Sequence, residues 1–244
     1  MYLVKGGSQR TSLWDSEFIR QHDVPGPRYT SYPTALQFHE EFTRADYLAS
    51  VARSNAARKP LSIYVHLPFC QSLCYYCACN KVITKDKSKA EKYVRYVIKE
   101  LEMQAALLGE GQRVEQLHWG GGTPTFLSDE QIRELMGAIR KHFRLIENGE
   151  YSIEIDPRKV TGETIALLGE LGFNRISIGV QDFDEQVQKA VNRSQSEEET
   201  LNVINAARAN GFKSVSIDLI YGLPKQTLEG FGRTLDRVIA TNPD

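Results

Sequence analysis

After Pro60 the chain settles into short apolar runs alternating with longer amphipathic stretches. Residues 61–65 (Leu-Ser-Ile-Tyr-Val) read as a strand. Residues 90–108 carry Tyr93, Val97, Leu101, Ala105 and Leu108 at helical spacing. A second strand at 114–119 runs into a glycine-rich segment, Gly120, Gly121, Gly122, Thr123, Pro124 and Thr125. Ser128 and Gln131 have capping-box spacing. The helix they open shows Ile132, Leu135, Met136, Ile139 and Phe143 on one face. A third strand at 151–156 is stopped by Pro157, and a helix at 163–171 ends at Gly172. A fourth strand at 175–180 follows. Ser196 and Glu199 cap a helix running to Asn210 and Gly211. A fifth strand at 214–220 precedes a last helix at 227–240.

Strands alternating with helices imply parallel βαβ units. A doubly wound sheet and a barrel both fit that alternation. What favours a barrel is chemistry recurring at each strand's end. His66 and the cysteines follow the first strand, and the glycines follow the second. Glu154 and Asp156 end the third, Gln181 follows the fourth, and Asp218 lies near the end of the fifth. Parallel strands bring those ends to one rim, so an α/β fold of partial (β/α) barrel type is expected. Five units do not close a barrel, and the chain stops at Asn242, Pro243 and Asp244 where a strand would begin. A barrel truncated at its C-terminus is therefore expected over 59–244. Residues 1–58 read as an irregular arm packed on the barrel, because Pro25, Pro27 and Pro33 block helix and central strand. Arg28, Tyr29 and Tyr32 would let such an arm cover a site, although plain packing is favoured.

All four cysteines fall in one short stretch, Cys70, Cys74, Cys77 and Cys79, spaced C-x3-C-x2-C-x-C at the end of the first strand. A structural zinc site usually wants two separated pairs, and no second pair exists. A thiol redox site would use Cys74 and Cys77 and leave Cys70 and Cys79 idle. An iron–sulfur cluster needs thiolates, and is favoured with zinc next. With Lys+Arg 30 against Asp+Glu 31, the chain offers no argument for a nucleic-acid partner. No apolar run approaches the roughly 20 residues of a membrane span, and the N-terminus has no signal-peptide core. Clustered cysteines without an export signal suggest a reducing, cytoplasmic setting.

The cysteine motif at the end of a first barrel strand resembles that of the radical S-adenosylmethionine (SAM) enzymes. The likeness extends further. Tyr64 and His66 before the motif, Cys79 after it, the glycine run, residues 155–158, 179–183, 191–193 and 217–224, and the 26–34 arm all resemble the oxygen-independent coproporphyrinogen III oxidases, over the N-terminal half of that family. Two positions depart from the family pattern: Tyr76 stands where Phe is usual, and Ala78 where Gly is usual. Neither removes a ligand.

The resemblance implies a [4Fe–4S] cluster on Cys70, Cys74 and Cys77, with one iron open to SAM. It implies two SAM molecules. Tyr64, Tyr76 and Glu154 would serve cofactor binding, Gly121 would contact the first SAM, and Gly122, Thr123, Gln181, Arg193 and Asp218 the second. It implies reductive cleavage of SAM to a 5′-deoxyadenosyl radical, hydrogen abstraction from a propionate, loss of carbon dioxide and removal of the last electron by an acceptor. Two propionates of coproporphyrinogen III would become the vinyl groups of protoporphyrinogen IX, in haem synthesis without oxygen. Cys79 would tune the site or assist turnover, and for His66 a ligand-shell or proton role stands beside a plain core position. The expected partners are the tetrapyrrole and a reduced donor of flavodoxin or ferredoxin type, and a monomer is expected. The alternative is the related haem chaperone, which catalyses no decarboxylation and lacks the fourth cysteine. No role suggests itself for His118. Lys85, Lys87, Lys89 and Lys92 read as a solvated face.

Overall fold

The computed structural model describes residues 2–4, 11–13, 15–24, 34–109 and 111–244. The chain divides into two compact units, Met1–Tyr47 and Leu48–Asp244. In the first, β1 (Tyr2–Val4) and β2 (Thr11–Leu13) pair antiparallel. Helix α1 (Ser16–His22) opens at Asp15, whose carboxylate accepts from the Glu17 and Phe18 amides. Helix α2 (Arg44–Ala57), which begins in the first unit and continues into the second, follows a reciprocal cap in which Thr43 and Asp46 hold each other's backbone amides. The expectation of an irregular 1–58 segment is thus corrected. Helix α2 has no fully buried residue, and its partly covered face, Tyr47, Ser50, Val51 and Asn55, mixes polar and apolar side chains, so its apolar periodicity is weak. The expected 26–34 arm lies almost wholly outside the described residues.

The second unit carries β3 (Leu61–Leu67), β4 (Phe69–Cys70), β5 (Val82–Ile83), α3 (Ser88–Leu108), β6 (Gln112–Gly121), α4 (Asp129–His142) and β7 (Phe143–Ile155). Then come α5 (Gly162–Glu170), β8 (Arg175–Gln181), α6 (Glu185–Ala190), α7 (Glu197–Ala209), β9 (Ser214–Leu219) and α8 (Leu228–Ala240). The main sheet runs β3-β6-β7-β8-β9, parallel throughout and in chain order. A doubly wound sheet would reverse direction part-way. Here the first and last strands are the two edges, so the sheet is the arc of a barrel.

Phe143, expected on the face of α4, instead caps that helix and starts β7. Its segment pairs at once with Gln112–Val114. Helix α4 begins with the expected capping box at Ser128 and Gln131, and α7 does so at Ser196 and Glu199.

Alternation within each strand sorts the two faces of the arc. One face of the strands packs into the core: Val65 and Leu67 of β3, Leu117 and Trp119 of β6, Ile153 and Ile155 of β7, Ile176 and Ile178 of β8, and Val215 of β9. Against it lie Ile132, Leu135, Met136 and Ile139 of α4, with Ile165 and Leu168 of α5, all fully enclosed. Each such side chain contributes roughly 1.5–3 kcal/mol by leaving water. The intervening positions, Tyr64, His66, His118, Ser152, Glu154, Ser177 and Asp218, are polar and only partly covered. A filled barrel interior would be apolar there. A polar one is built to face a ligand.

Candidate functional site

The cysteine loop is closed by its own two-stranded clip. Strands β4 and β5 pair in parallel, with the Val82 amide donating to Pro68 O at 2.8 Å and the Thr84 amide to Cys70 O at 2.8 Å. Between them the loop is held from three sides. Lys81 Nζ donates to the carbonyls of Cys77 (2.8 Å) and Cys79 (3.2 Å). The 191–193 segment contributes Val191 O to the Tyr75 amide (3.0 Å) and Asn192 Nδ2 to Leu73 O (2.7 Å). Asn192 sits at φ 56, a left-handed conformation that Asn tolerates better than most residues. From the turn just after β6, the Gly122 amide donates to Leu67 O and the Thr123 amide to Phe69 O, each at 2.8 Å.

All four cysteines are free thiols. Cys74 is buried, Cys70 and Cys77 are half-buried, and Cys79 is exposed at the rim. Cys70 Sγ lies 3.6 Å from Thr123 Oγ1. Burial pushes the Cys70 thiol up, opposed by the Thr123 hydroxyl. Burial also raises Cys79, assisted by neighbouring Cys77 and opposed by Lys81. Among the described residues no three His, Cys, Asp or Glu side chains are gathered as a single metal ion would gather them. A four-iron cluster is a larger object and holds its thiolates further apart.

A cleft of about 170 Å³ opens beside this loop. Of the fourteen residues singled out from sequence, twelve line it: Cys70, Cys74, Tyr76, Cys77, Cys79, Gly121, Gly122, Thr123, Glu154, Gln181, Arg193 and Asp218. Tyr64 and His66 do not. They bind each other, with Tyr64 Oη 2.8 Å from His66 Nδ1, while His66 Nε2 lies 2.9 Å from Asn80 O. A carbonyl only accepts, so the proton sits on Nε2 and the tyrosine hydroxyl donates to Nδ1. Both ring nitrogens are therefore used, and in this structure His66 steadies the end of the cysteine loop. Burial raises the Tyr64 phenol, helped by Glu154 and Cys79.

The glycines prove necessary for packing before any ligand is considered. A Cβ on Gly122 would stand 2.6 Å from Pro68 backbone atoms, and one on Gly121 (φ +115) 2.7 Å from the His66 ring. Sequence reading missed what His118 does. Its Nδ1 lies 2.6 Å from Ser152 Oγ and its Nε2 3.3 Å from Glu154 Oε1, and its ring stacks on Tyr64. The Gly121 amide donates to Glu154 Oε2 at 3.2 Å. The Glu154 carboxylate is thus oriented at both oxygens. The period-2 polar pattern at 64, 66, 118, 152 and 154 was the available signal.

Arg158 was also missed as a site group. It forms a two-point bond to Asp156 (2.8 and 2.6 Å), and Arg193 stands 3.6 Å from the same carboxylate. Burial alone would raise the Asp156 carboxyl, yet the Arg158 hydrogen bonds and both cations hold it below its ordinary value. Burial would lower Arg158, and its bond to Asp156 outweighs that and raises it. Arg193 also donates to Gly179 O at 2.7 Å, and its Nε is buried without a partner. Tyr76 packs on Val187, Val191 and Leu223, and burial drives its phenol far up, opposed by Arg193. Gln181 takes φ 68, strain of the kind that collects at binding sites. Asp218 accepts from Ser177 Oγ at 2.8 Å. Lys87, expected in solvent, instead donates to Phe126 O and lies 4.0 Å above that ring.

Three soft thiols, glycine backbone, two rim carboxylates and an unpartnered arginine nitrogen converge on one cleft, a donor set that suits an iron–sulfur cluster with a polar cofactor beside it. A profile of the radical SAM superfamily matches residues 64–238. The chain belongs to the radical SAM superfamily. Oxygen-independent coproporphyrinogen III oxidase of Pseudomonas aeruginosa is 56% identical to this radical SAM chain over 96% of it and 51% of the relative. The relative of the same name from Escherichia coli is 50% identical over 95% of the chain and 50% of its own length. The solved Escherichia coli coproporphyrinogen III oxidase, described as a radical SAM enzyme, superposes with a TM-score of 0.86 at 48% identity, covering 95% of this chain and 51% of that one. The radical SAM methyltransferase of Kitasatospora setae shares the fold alone, at TM-score 0.54 and 15% identity, covering 75% of this chain and 35% of that one. The chain spans about half the length of the curated relatives it matches. No helix among the described residues is long and apolar enough to cross a membrane.

Proposed function

We propose that this radical SAM chain serves the oxygen-independent decarboxylation of two propionate side chains of coproporphyrinogen III to vinyl groups, giving protoporphyrinogen IX. The observation that carries the reading is the convergence of Cys70, Cys74 and Cys77 with Gly121, Glu154, Arg193 and Asp218 on one cleft, in a chain 56% identical to a relative of that name. Cys70, Cys74 and Cys77 would hold a [4Fe–4S] cluster, leaving one iron for SAM. When bound, the cluster and SAM supply the one-electron chemistry that takes a hydrogen atom from an unactivated carbon. Glu154, already oriented by the Gly121 amide and His118, accepts from ribose hydroxyls. Gly122, Thr123, Gln181, Arg193 and Asp218 serve a second SAM. Arg193, whose Nε has no partner, would suit a carboxylate, and Asp218 would take hydroxyls or an ammonium.

Cys79 stands outside the cluster ligands, exposed at the rim, and assists turnover. Its presence favours the oxidase over the haem chaperone. A cytoplasmic monomer reduced by a flavodoxin or ferredoxin completes the reading. The test is anaerobic reconstitution with iron and sulfide, then incubation of the full-length protein with SAM, reductant, a one-electron acceptor and coproporphyrinogen III. Formation of protoporphyrinogen IX and carbon dioxide is expected. Tight haem binding without product would replace the oxidase by the chaperone. A colourless, zinc-retaining protein would end both.

A further inference from the structure

Cys74 differs from the other motif cysteines in what stands behind it. Arg193 Nη1 lies 3.6 Å from its Sγ, and Arg158 Nη2 lies 4.0 Å away. Both cations are fixed. Arg158 grips Asp156 at two points, and Arg193 is tied to Gly179 O and to the same carboxylate. The Asp156 and Arg193 side chains are about nine-tenths enclosed (10% and 9% exposed), so water screens this group poorly. Two guanidiniums against one carboxylate leave one net positive charge beside a buried sulfur. Cys70 instead meets the Thr123 hydroxyl, and Cys79 is exposed.

We propose that Arg158 and Arg193, anchored by Asp156, form a cationic backing to Cys74 that raises the reduction potential of the iron–sulfur cluster held there. The proposal rests on reading Cys70, Cys74 and Cys77 as cluster ligands. Reduction adds one electron to the cluster and its sulfurs. A fixed cation stabilises the reduced form more than the oxidised one, and the effect grows where the dielectric is low. Hydrogen bonds to a ligand sulfur act in the same direction. Arginine suits the task because it stays charged when buried and is weakly hydrated. Asp156 has two effects: it fixes both guanidiniums and cancels half of their charge.

The charge gives the test its sign, because D156N removes the anion while keeping an amide oxygen that accepts from Arg158. The reconstituted protein, without SAM, is titrated with dithionite and followed by the electron paramagnetic resonance of the reduced cluster. R158Q and R193Q each lower the midpoint potential. R158K, which keeps the charge, stays near wild type, and D156N raises the potential. R175Q, which breaks the Arg175–Glu150 pair on the same sheet, leaves it unchanged. A purely structural role would not produce shifts of opposite sign. If R158Q fails to hold iron, R193Q and D156N carry the same test. Unchanged potentials in iron-loaded R158Q and R193Q, or a fall in D156N, overturn the proposal. A wild-type protein that takes up no cluster overturns the reading of the cysteines, and this proposal with it.

Discussion

Replacing Gly122 by alanine isolates how the glycine run supports the cysteine loop. The new Cβ would lie 2.6 Å from the Pro68 carbonyl carbon and oxygen and 2.8 Å from Phe69 O, all backbone atoms. Ordinary contact begins near 3.4 Å, so the segments must part by about 0.8 Å, and no rotamer change relieves the clash. The same interface carries two backbone hydrogen bonds, Gly122 to Leu67 and Thr123 to Phe69, both 2.8 Å. A separation of that size breaks both. Overpacking costs about 1–3 kcal/mol, and two lost hydrogen bonds add about 1 kcal/mol each. The expected destabilisation is about 3–5 kcal/mol in urea unfolding of the metal-free protein. Iron bound per chain after anaerobic reconstitution should fall as well, because Thr123 and Cys70 move apart. Gly137 supplies the contrast. It lies within α4, and a methyl group added there would meet nothing within 4 Å, so G137A should stabilise by about 0.5–1 kcal/mol. A G122A protein within about 1 kcal/mol of wild type and fully loaded with iron would refute the reasoning.

Other outcomes follow from single contacts. Asp182 is buried and accepts from Thr234 Oγ1 (2.7 Å), Gln226 Nε2 (2.6 Å) and the Asp184 amide (2.8 Å), so D182N, which turns a donor onto donors, should cost about 2–4 kcal/mol by chemical denaturation. Asp156 is held below its ordinary 3.8 in the fold. The stability it contributes is therefore full above about pH 3.8 and is lost as the pH falls through the folded value. D156N should flatten that acid limb in stability measured against pH. S128A removes the α4 cap and should cost about 1 kcal/mol by thermal melting. C79S should keep its iron and lose turnover, and loss of iron would make Cys79 a ligand.

The five strands, their helices and the barrel class were legible because each signal is local. Alternation, 3.6-residue spacing and capping boxes at Ser128 and Ser196 are written within a few neighbouring residues. The cysteine spacing likewise sits in one stretch. Phe143 was misplaced because an apolar residue at helical spacing also suits the first position of a buried strand, and α2 escaped because its partly covered face mixes polar and apolar residues. The partners of the site residues were less visible. His118 had no reading until Ser152 and Glu154, on the neighbouring strand, took its two nitrogens.

The sequence by itself determined the donor set: three clustered thiols, a fourth beside them, a glycine run and carboxylates at strand ends. Only the tertiary structure decided how those donors differ. Cys74 meets Arg193 across 119 residues of chain, and Leu73 meets Asn192 across the same span. No local pattern encodes such a meeting, because it depends on which strands are neighbours in the sheet and which loops therefore share a rim. The sequence set Cys79 apart but left the other three alike, and the fold separated them: Cys74 is buried against cations, while Cys70 and Cys77 are half-covered.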